Sequence, residues 1–281
     1  VSRVDEERRG GGEGDARIYE EGRDGRKVAP VYEVRLRSDM DPEQRVAMLR
    51  ETGLLYEERL RQPDVAFEKY LEAFGVMPTQ EVVREDVERL AEATGGWDKV
   101  VEAFGAAIER AEIEDDEVEL RMSLGGVLTK VEKTEEAVAQ YKAVYDLRSD
   151  HLGAIAKLSE LYQQTESWAP LLQVIDRRME LESDPETRRS IAYQRAHLIE
   201  QQLGDPAQAI EAYNSILAEY GDEEVEAFRA LDRLFEAQER WAEFAQILER
   251  RIDLNPETHE ELAALKFRLA LALSNHLDDK G

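Results

Sequence analysis

The chain has no cysteine. That removes disulfides, thiolate nucleophiles and cysteine-based zinc sites, and leaves the redox compartment unspecified. Aromatic residues are few, at 7% of 281 positions, so any core must be mostly aliphatic and alanine. No apolar run approaches the roughly 20 residues that span a bilayer, and direct insertion into a membrane is not expected. No run of five or more basic residues occurs. With 63 acidic against 37 basic side chains and a formal charge of −26, the chain repels nucleic acid and anionic surfaces, whose binding depends on Lys and Arg. Nucleic acid is therefore excluded as an expected partner. The charged, glycine-rich start shows no secretory signal. Because the chain opens on Val1, a processed product or a fragment is expected, and localisation is left open, with the cytoplasm as first expectation.

What is present is helix-forming composition and a long period. Ala, Leu, Glu, Arg and Gln dominate, as suits an all-helical protein. The three tryptophans, Trp97, Trp168 and Trp241, share one phase, and each follows a leucine (Leu90, Leu161, Leu234) by seven residues. A second set interleaves: Ala66, Ala137 and Ala209, each followed four residues later by Tyr70, Tyr141 and Tyr213. Merged, the large residues Tyr70, Phe104, Tyr141, Ile175, Tyr213 and Leu248 are separated by 34 to 38 residues. Such a period with two helices per unit marks a helical repeat.

Local signals place the helices. Asp41-Pro42, Asp184-Pro185, Asp205-Pro206 and Asn255-Pro256 read as helix starts, the polar side chain capping free N–H groups and proline occupying the first turn. Ala209, Tyr213, Ile216 and Leu217 form one apolar stripe, and so do Phe228, Leu231 and Phe235. The reading is six helix pairs over 43–78, 80–112, 117–149, 151–182, 186–221 and 223–255. A lone helix over 257–277 follows as a cap, beyond which a longer protein is expected to continue.

From residue 42 onward the chain resembles the tetratricopeptide repeat family. Phe228, Leu231, Phe235, Trp241 and Asn255-Pro256 match one stretch of its pattern. Gly204-Asp205-Pro206 with Ala209 and Tyr213 matches the turn and second helix, and Gly53 and Tyr56 match the first helix. Val100, Leu171 and Phe244 stand where the family has a small alanine, so a wider helix crossing is expected there. The alternate units carry one extra residue before the turn, giving a double unit of about 72 residues. The pattern is similar to long acidic repeat proteins of high-GC bacteria. The resemblance implies an all-α, right-handed superhelix over 42–281, a solenoid of about six helix-pair repeats plus a C-terminal capping helix. First helices would line a concave groove that binds peptides or domains, each unit touching only its neighbours.

Residues 1–41 break the period. Gly10 to Gly14 includes four glycines, and acids and bases nearly balance. A flexible tail is expected, with a short β-hairpin as the ordered alternative: Tyr32, Val34 and Leu36 alternate with charged residues, and Asp24-Gly25 would turn the chain back to a strand at 16–21.

No catalytic, cofactor or metal site is expected. The four histidines (His151, His197, His259, His276) have no second ligand at metal spacing. The abundant carboxylates are read as solvated or as dipole-favoured helix-start acids, not as a perturbed acid in a pocket. Gly95-Gly96 reads as a C-cap turn, and Gly125-Gly126 as a close approach of neighbouring helices. The tryptophans are assigned to packing between units. Asn is rare, which disfavours the carboxylate clamp of chaperone-binding relatives.

By phase, the first-helix residues expected to touch a partner are Arg50, Arg121, Lys157, Gln163, Tyr193, His197, Arg229 and Arg233. Basic groups there would meet an acidic peptide, unless they pair with nearby glutamates. The expected function is a protein-binding scaffold without an active site. The alternatives are a non-catalytic arm of a larger enzyme, or an architectural subunit of an envelope or secretion assembly.

Overall fold

A computed structural model of the chain describes residues 25–254 and 258–277, and every regular element among them is helical. Fourteen α-helices follow in order: α1 Gly25–Arg35, α2 Pro42–Leu54, α3 Pro63–Val76, α4 Glu81–Thr94, α5 Trp97–Arg110, α6 Glu114–Lys130, α7 Thr134–Leu147, α8 Leu152–Gln164, α9 Trp168–Leu181, α10 Pro185–Leu198, α11 Pro206–Tyr220, α12 Val225–Ala237, α13 Trp241–Asp253 and α14 His259–His276. Two five-residue π-turns, Leu55–Arg59 and Ile199–Leu203, extend α2 and α10. Helices α2 to α13 form the six pairs that the period predicts.

The starts are built as the sequence implies. Asp41, Asp184 and Asp205 accept backbone N–H bonds from Gln44, Thr187 and Gln208 at 2.8, 2.9 and 2.9 Å, each with proline in the first turn. These bonds satisfy donors that a helix leaves open. His151 does the same through Nδ1, 3.0 Å from the Ala154 amide. The expected start at Asn255-Pro256 falls on residues 255–257, outside the described residues; among those described, α14 begins at His259 under a Thr258 cap.

The strand that Tyr32, Val34 and Leu36 offered as the ordered alternative to a flexible tail is corrected. Tyr32 and Val34 lie in α1, and Leu36 in the turn that follows. The period that wins is helical: Val28, Tyr32 and Leu36 are buried at i, i+4 and i+8, while Val34 is 65% exposed. Val28, Ala29 and Tyr32 pack on Leu55, Met48, Tyr56 and Leu60, and the Tyr32 hydroxyl donates to Glu51 at 2.9 Å. The packed structure thus reaches back to Gly25, beyond the expected boundary at 41/42. The first part of the expected tail and hairpin, residues 1–24, lies outside the described residues.

The contacts divide into two compact units, Val1–Arg148 and Ser149–Gly281. The first holds pairs one to three. Its fully buried residues include Tyr70, Phe74, Phe104, Leu90 and Tyr141, with Phe74 and Phe104 rings 4.6 Å apart. The second holds pairs four to six and α14, and its largest cluster runs through Tyr213, Phe228, Leu231, Phe244 and Leu248 to Leu265 and Ala272. The six merged residues of the period, Tyr70, Phe104, Tyr141, Ile175, Tyr213 and Leu248, all lie in the core.

Small residues decide how closely each pair packs. A Cβ on Gly53 would sit 2.8 Å from the Tyr70 ring, and one on Gly125 2.6 Å from that of Tyr141. No such approach is tolerated, so these positions exclude any side chain. Gly95 closes α4 at φ 72, the left-handed cap that glycine adopts without strain. The extra residue of the alternate units is absorbed in pairs one and five as the two π-turns, the usual form of a one-residue insertion in a helix. Pair three has none within α6.

The tryptophans open the second helices of pairs two, four and six. They are half-buried, not enclosed, so the cost of deleting a fully buried tryptophan does not apply. Trp97 lies under Lys130 Nζ at 4.7 Å, and Trp241 stacks on His276 at 3.7 Å with planes 9° apart. Both partners come from the next first helix, as packing between neighbouring units requires.

Candidate functional site

All eight predicted contact residues lie on first helices of their pairs. There the structure reveals a row of polar contacts running from one first helix to the next, described unit by unit.

In the first unit, Arg50 of α2 binds Asp86 of α4 at 2.6 Å. Arg89, one turn on, reaches Asp86 at 3.5 Å and grips Glu57 with both guanidinium nitrogens. Glu57 sits in the first π-turn and also accepts the Tyr70 hydroxyl at 3.3 Å. Burial, with Asp86 and Glu57 adding their negative field, pushes the Tyr70 phenol up to about 12. Arg84 continues the row to Glu119 at 2.6 Å. Arg121 binds Glu117 at 2.8 Å and Gln140 at 3.0 Å.

In the second unit, Lys157 pairs with Glu160 along α8 at 3.0 Å. Gln163 is exposed and, with Trp168, Leu171, Gln194, His197 and Gln202, borders a cavity of about 550 Å³. Tyr193 donates its hydroxyl to Glu224, the residue just before α12, at 2.8 Å, and Arg189 reaches the same carboxylate at 3.1 Å. His197 Nε2 faces Glu226 at 3.0 Å, and its ring lies 6.1 Å from Tyr193 and 6.0 Å from Tyr213. Arg233 binds Glu200 of the second π-turn at 2.5 Å, and Glu200 accepts the Tyr213 hydroxyl at 2.9 Å. Burial first, then Glu224 and Glu200 respectively, raises the phenols of Tyr193 and Tyr213 far above their usual value. Arg229 is exposed and makes no ion pair among the described residues.

Two features follow. First, Arg50, Arg121, Lys157, Arg233 and His197 each face a carboxylate of their own chain, so these groups organise the face instead of presenting free positive charge. Second, the open space is acidic. A cavity of about 780 Å³ is lined by Glu186, Glu223, Glu224 and Glu226 together with Arg189, Tyr193 and His197, and Arg189 binds Glu186 at 2.6 Å as well as Glu224, which leaves carboxylates in excess.

Sequence reasoning missed Glu57, Arg89, Glu200, Glu224 and Asp86. A signal for two of them existed. Glu57 and Glu200 each precede a period tyrosine by thirteen residues, and an arginine follows at Arg89 or Arg233. The most buried acid among the described residues, Asp232 at 4% exposure, belongs to a different network. It binds Arg251 at 2.9 Å and both nitrogens of Arg268 at 2.7 Å, which fastens α14 to pair six.

No family model matches the chain, and no curated protein does. Solved structures do. The Naa15/Naa10 complex bound to HypK-THB is 13% identical, covering 97% of this chain and 40% of that one, with a TM-score of 0.47. This chain thus spans well under half of that protein. A tetratricopeptide repeat protein from Parabacteroides merdae is 13% identical over 92% of this chain and 96% of its own, at 0.35. The C-terminal part of a TPR repeat-containing protein from Cytophaga hutchinsonii is 14% identical over 89% and 98%, at 0.41. In its run of paired helices this chain is similar to these tetratricopeptide repeat structures.

Proposed function

We propose that this chain is a protein-binding scaffold without chemistry of its own, and that a partner segment carrying Lys or Arg lies across the first helices of pairs five and six. The observation that carries the reading is the acidic cavity beside Tyr193 and His197, open and bordered by four glutamates. Apart from Arg229, the predicted cations on this face are already engaged by acids of their own chain, so an incoming acidic peptide meets no free charge at Arg50, Arg121, Lys157 or Arg233. A basic segment meets an excess of carboxylates, and the charge of −26 draws it in over a Debye length. The deepest acids accept from arginine or tyrosine, the geometry of structural ion pairs and not of a general acid aimed at a substrate.

The test is a titration of the full chain with an Arg/Lys-rich peptide and a Glu-rich peptide of equal length. Glu223 and Glu226 are exposed, so E223K/E226K is expected to fold normally, and E109K/E249K changes the charge equally elsewhere. The reading expects saturable, salt-sensitive binding of the basic peptide that is lost in E223K/E226K and kept in E109K/E249K. Equal loss in both variants, or preference for the acidic peptide, overturns it.

A further inference from the structure

The three tryptophans open second helices at one position of the period, and two of them are covered in the same way. Lys130 holds its ammonium 4.7 Å from the centre of the Trp97 ring. His276 lays its imidazole 3.7 Å from the Trp241 ring, with planes 9° apart. Each cover is the last residue of the next first helix. Trp168 also has a complete next first helix, α10 with its π-turn. Lys130 stands seven residues before Ala137, and the residue seven before Ala209 is Gln202. Gln202 is neutral and exposed. Among the described residues, neither a cation nor a second ring lies against Trp168.

The half-buried indole instead borders the cavity of about 550 Å³, a volume in the range of small-ligand sites. The border is unlike the rest of this acidic chain. Four carboxamides line it, from Gln163, Gln194, Gln201 and Gln202, and its two charged side chains, Glu160 and Arg178, are of opposite sign. Each carboxamide presents an oxygen that accepts and a nitrogen that donates. His197 borders this cavity and the acidic one alike. A segment lying against the four glutamates therefore has the Trp168 cavity beside it.

We propose that this cavity receives an arginine side chain of the basic segment, with its guanidinium flat on the Trp168 ring. The inference rests on the reading of a basic segment held at the acidic cavity, and names one residue type within it. Lys130 shows that an indole at this position takes a cation, and His276 that it takes a flat ring. A guanidinium is both, and it stacks on aromatic faces more often than an ammonium does. Its planar fork of N–H donors meets the carboxamide oxygens around the ring. A lysine ammonium is compact and strongly hydrated, and is better matched to the four glutamates. The like charge of Arg178 is offset by Glu160 and by the carboxylates of the adjoining cavity.

The test titrates peptides of equal length, carrying arginine, lysine or neutral citrulline at the same positions, into the full chain labelled with 5-fluorotryptophan. The three tryptophans give three fluorine signals, and W168F identifies the one from Trp168. The arginine peptide is expected to shift that signal saturably and to bind roughly three- to tenfold tighter than the lysine peptide. The citrulline peptide should do neither. Q202K, at an exposed position, supplies the cover that Lys130 gives Trp97; it and W168L should each remove the preference for arginine over lysine. That preference is a ratio, so it is insensitive to a change in net charge or a small loss of folded protein. N-acetylarginine amide probes the cavity without the glutamates, and should shift the Trp168 signal alone, because Lys130 and His276 already cover the other two rings. No shift with it, an equal shift of all three signals, or a preference unchanged in Q202K and W168L overturns the inference. Equal binding of the arginine and lysine peptides, both lost in E223K/E226K, overturns this inference and leaves the reading of the acidic cavity standing. Binding of neither overturns that reading, and this inference with it.

Discussion

Tyr213 donates its hydroxyl hydrogen bond to Glu200 at 2.9 Å, and Tyr70 makes the same bond to Glu57 at 3.3 Å across the same thirteen residues. In both cases the carboxylate stands in a π-turn and the tyrosine is nearly fully buried. The extra residue of the π-turn is thus found where a glutamate meets the phenol and an arginine of the next first helix. One local insertion in the helix accompanies one link of the polar row.

Removing either partner of this bond should therefore cost unequally. Tyr213→Phe loses one hydrogen bond while Arg233 still holds Glu200, about 1 kcal/mol. Glu200→Ala leaves a buried hydroxyl without an acceptor, about 1–3 kcal/mol. The double variant should lose less than the sum, because the orphaned hydroxyl is gone. Urea denaturation of the four proteins measures this; strict additivity would show that the two side chains do not act together.

Adjacent glycines in α6 should respond with opposite signs. Gly125→Ala places a methyl group 2.6 Å from the Tyr141 ring, and the pair must separate, at about 1–3 kcal/mol. At Gly126 the nearest atom is the Tyr141 hydroxyl oxygen at 3.9 Å, which is ordinary contact. Gly126→Ala should therefore be neutral or stabilise by up to about 1 kcal/mol through helix propensity. Equal effects in thermal melts would contradict the close approach.

Alkaline pH should unfold the chain through its tyrosines. Burial holds the Tyr70 phenol at about 12 in the folded state, against about 10 when unfolded. The unfolded chain releases that proton first, so stability is complete below pH 10 and falls as pH rises toward 12. Tyr193 and Tyr213 shift in the same direction and steepen the fall. Urea midpoints between pH 9 and 12 should decline, and Y70F and Y213F should each flatten the decline. Tyrosine ionisation followed by ultraviolet absorbance should lag until unfolding begins.

Much of this architecture is legible in the residues, because it rests on local rules. Helix starts at Asp41-Pro42, Asp184-Pro185 and Asp205-Pro206 follow from capping within one turn. The helix pairs follow from apolar stripes whose spacing a single helix imposes. The period of Tyr70, Phe104, Tyr141, Ile175, Tyr213 and Leu248 follows because every unit buries the same face against its neighbours. Around Val34 and Leu36, local reading offered a flexible tail or a strand; packing against Leu55 and Tyr56 decided for a helix.

The binding face was legible only as a set of positions. Phase placed Arg50, Tyr193, His197 and Arg233 on first helices, but their partners lie tens of residues away, at Asp86, Glu224, Glu226 and Glu200. In a chain with acids at every turn, spacing cannot say which carboxylate meets which cation. That choice depends on distances of a few ångströms between helices. By itself the sequence determined a train of helix pairs with a strongly acidic surface. Only the tertiary structure decided that most of the predicted contact cations are engaged by acids of their own chain and that four glutamates line the cavity beside Tyr193, because each of these is a relation between separate helices.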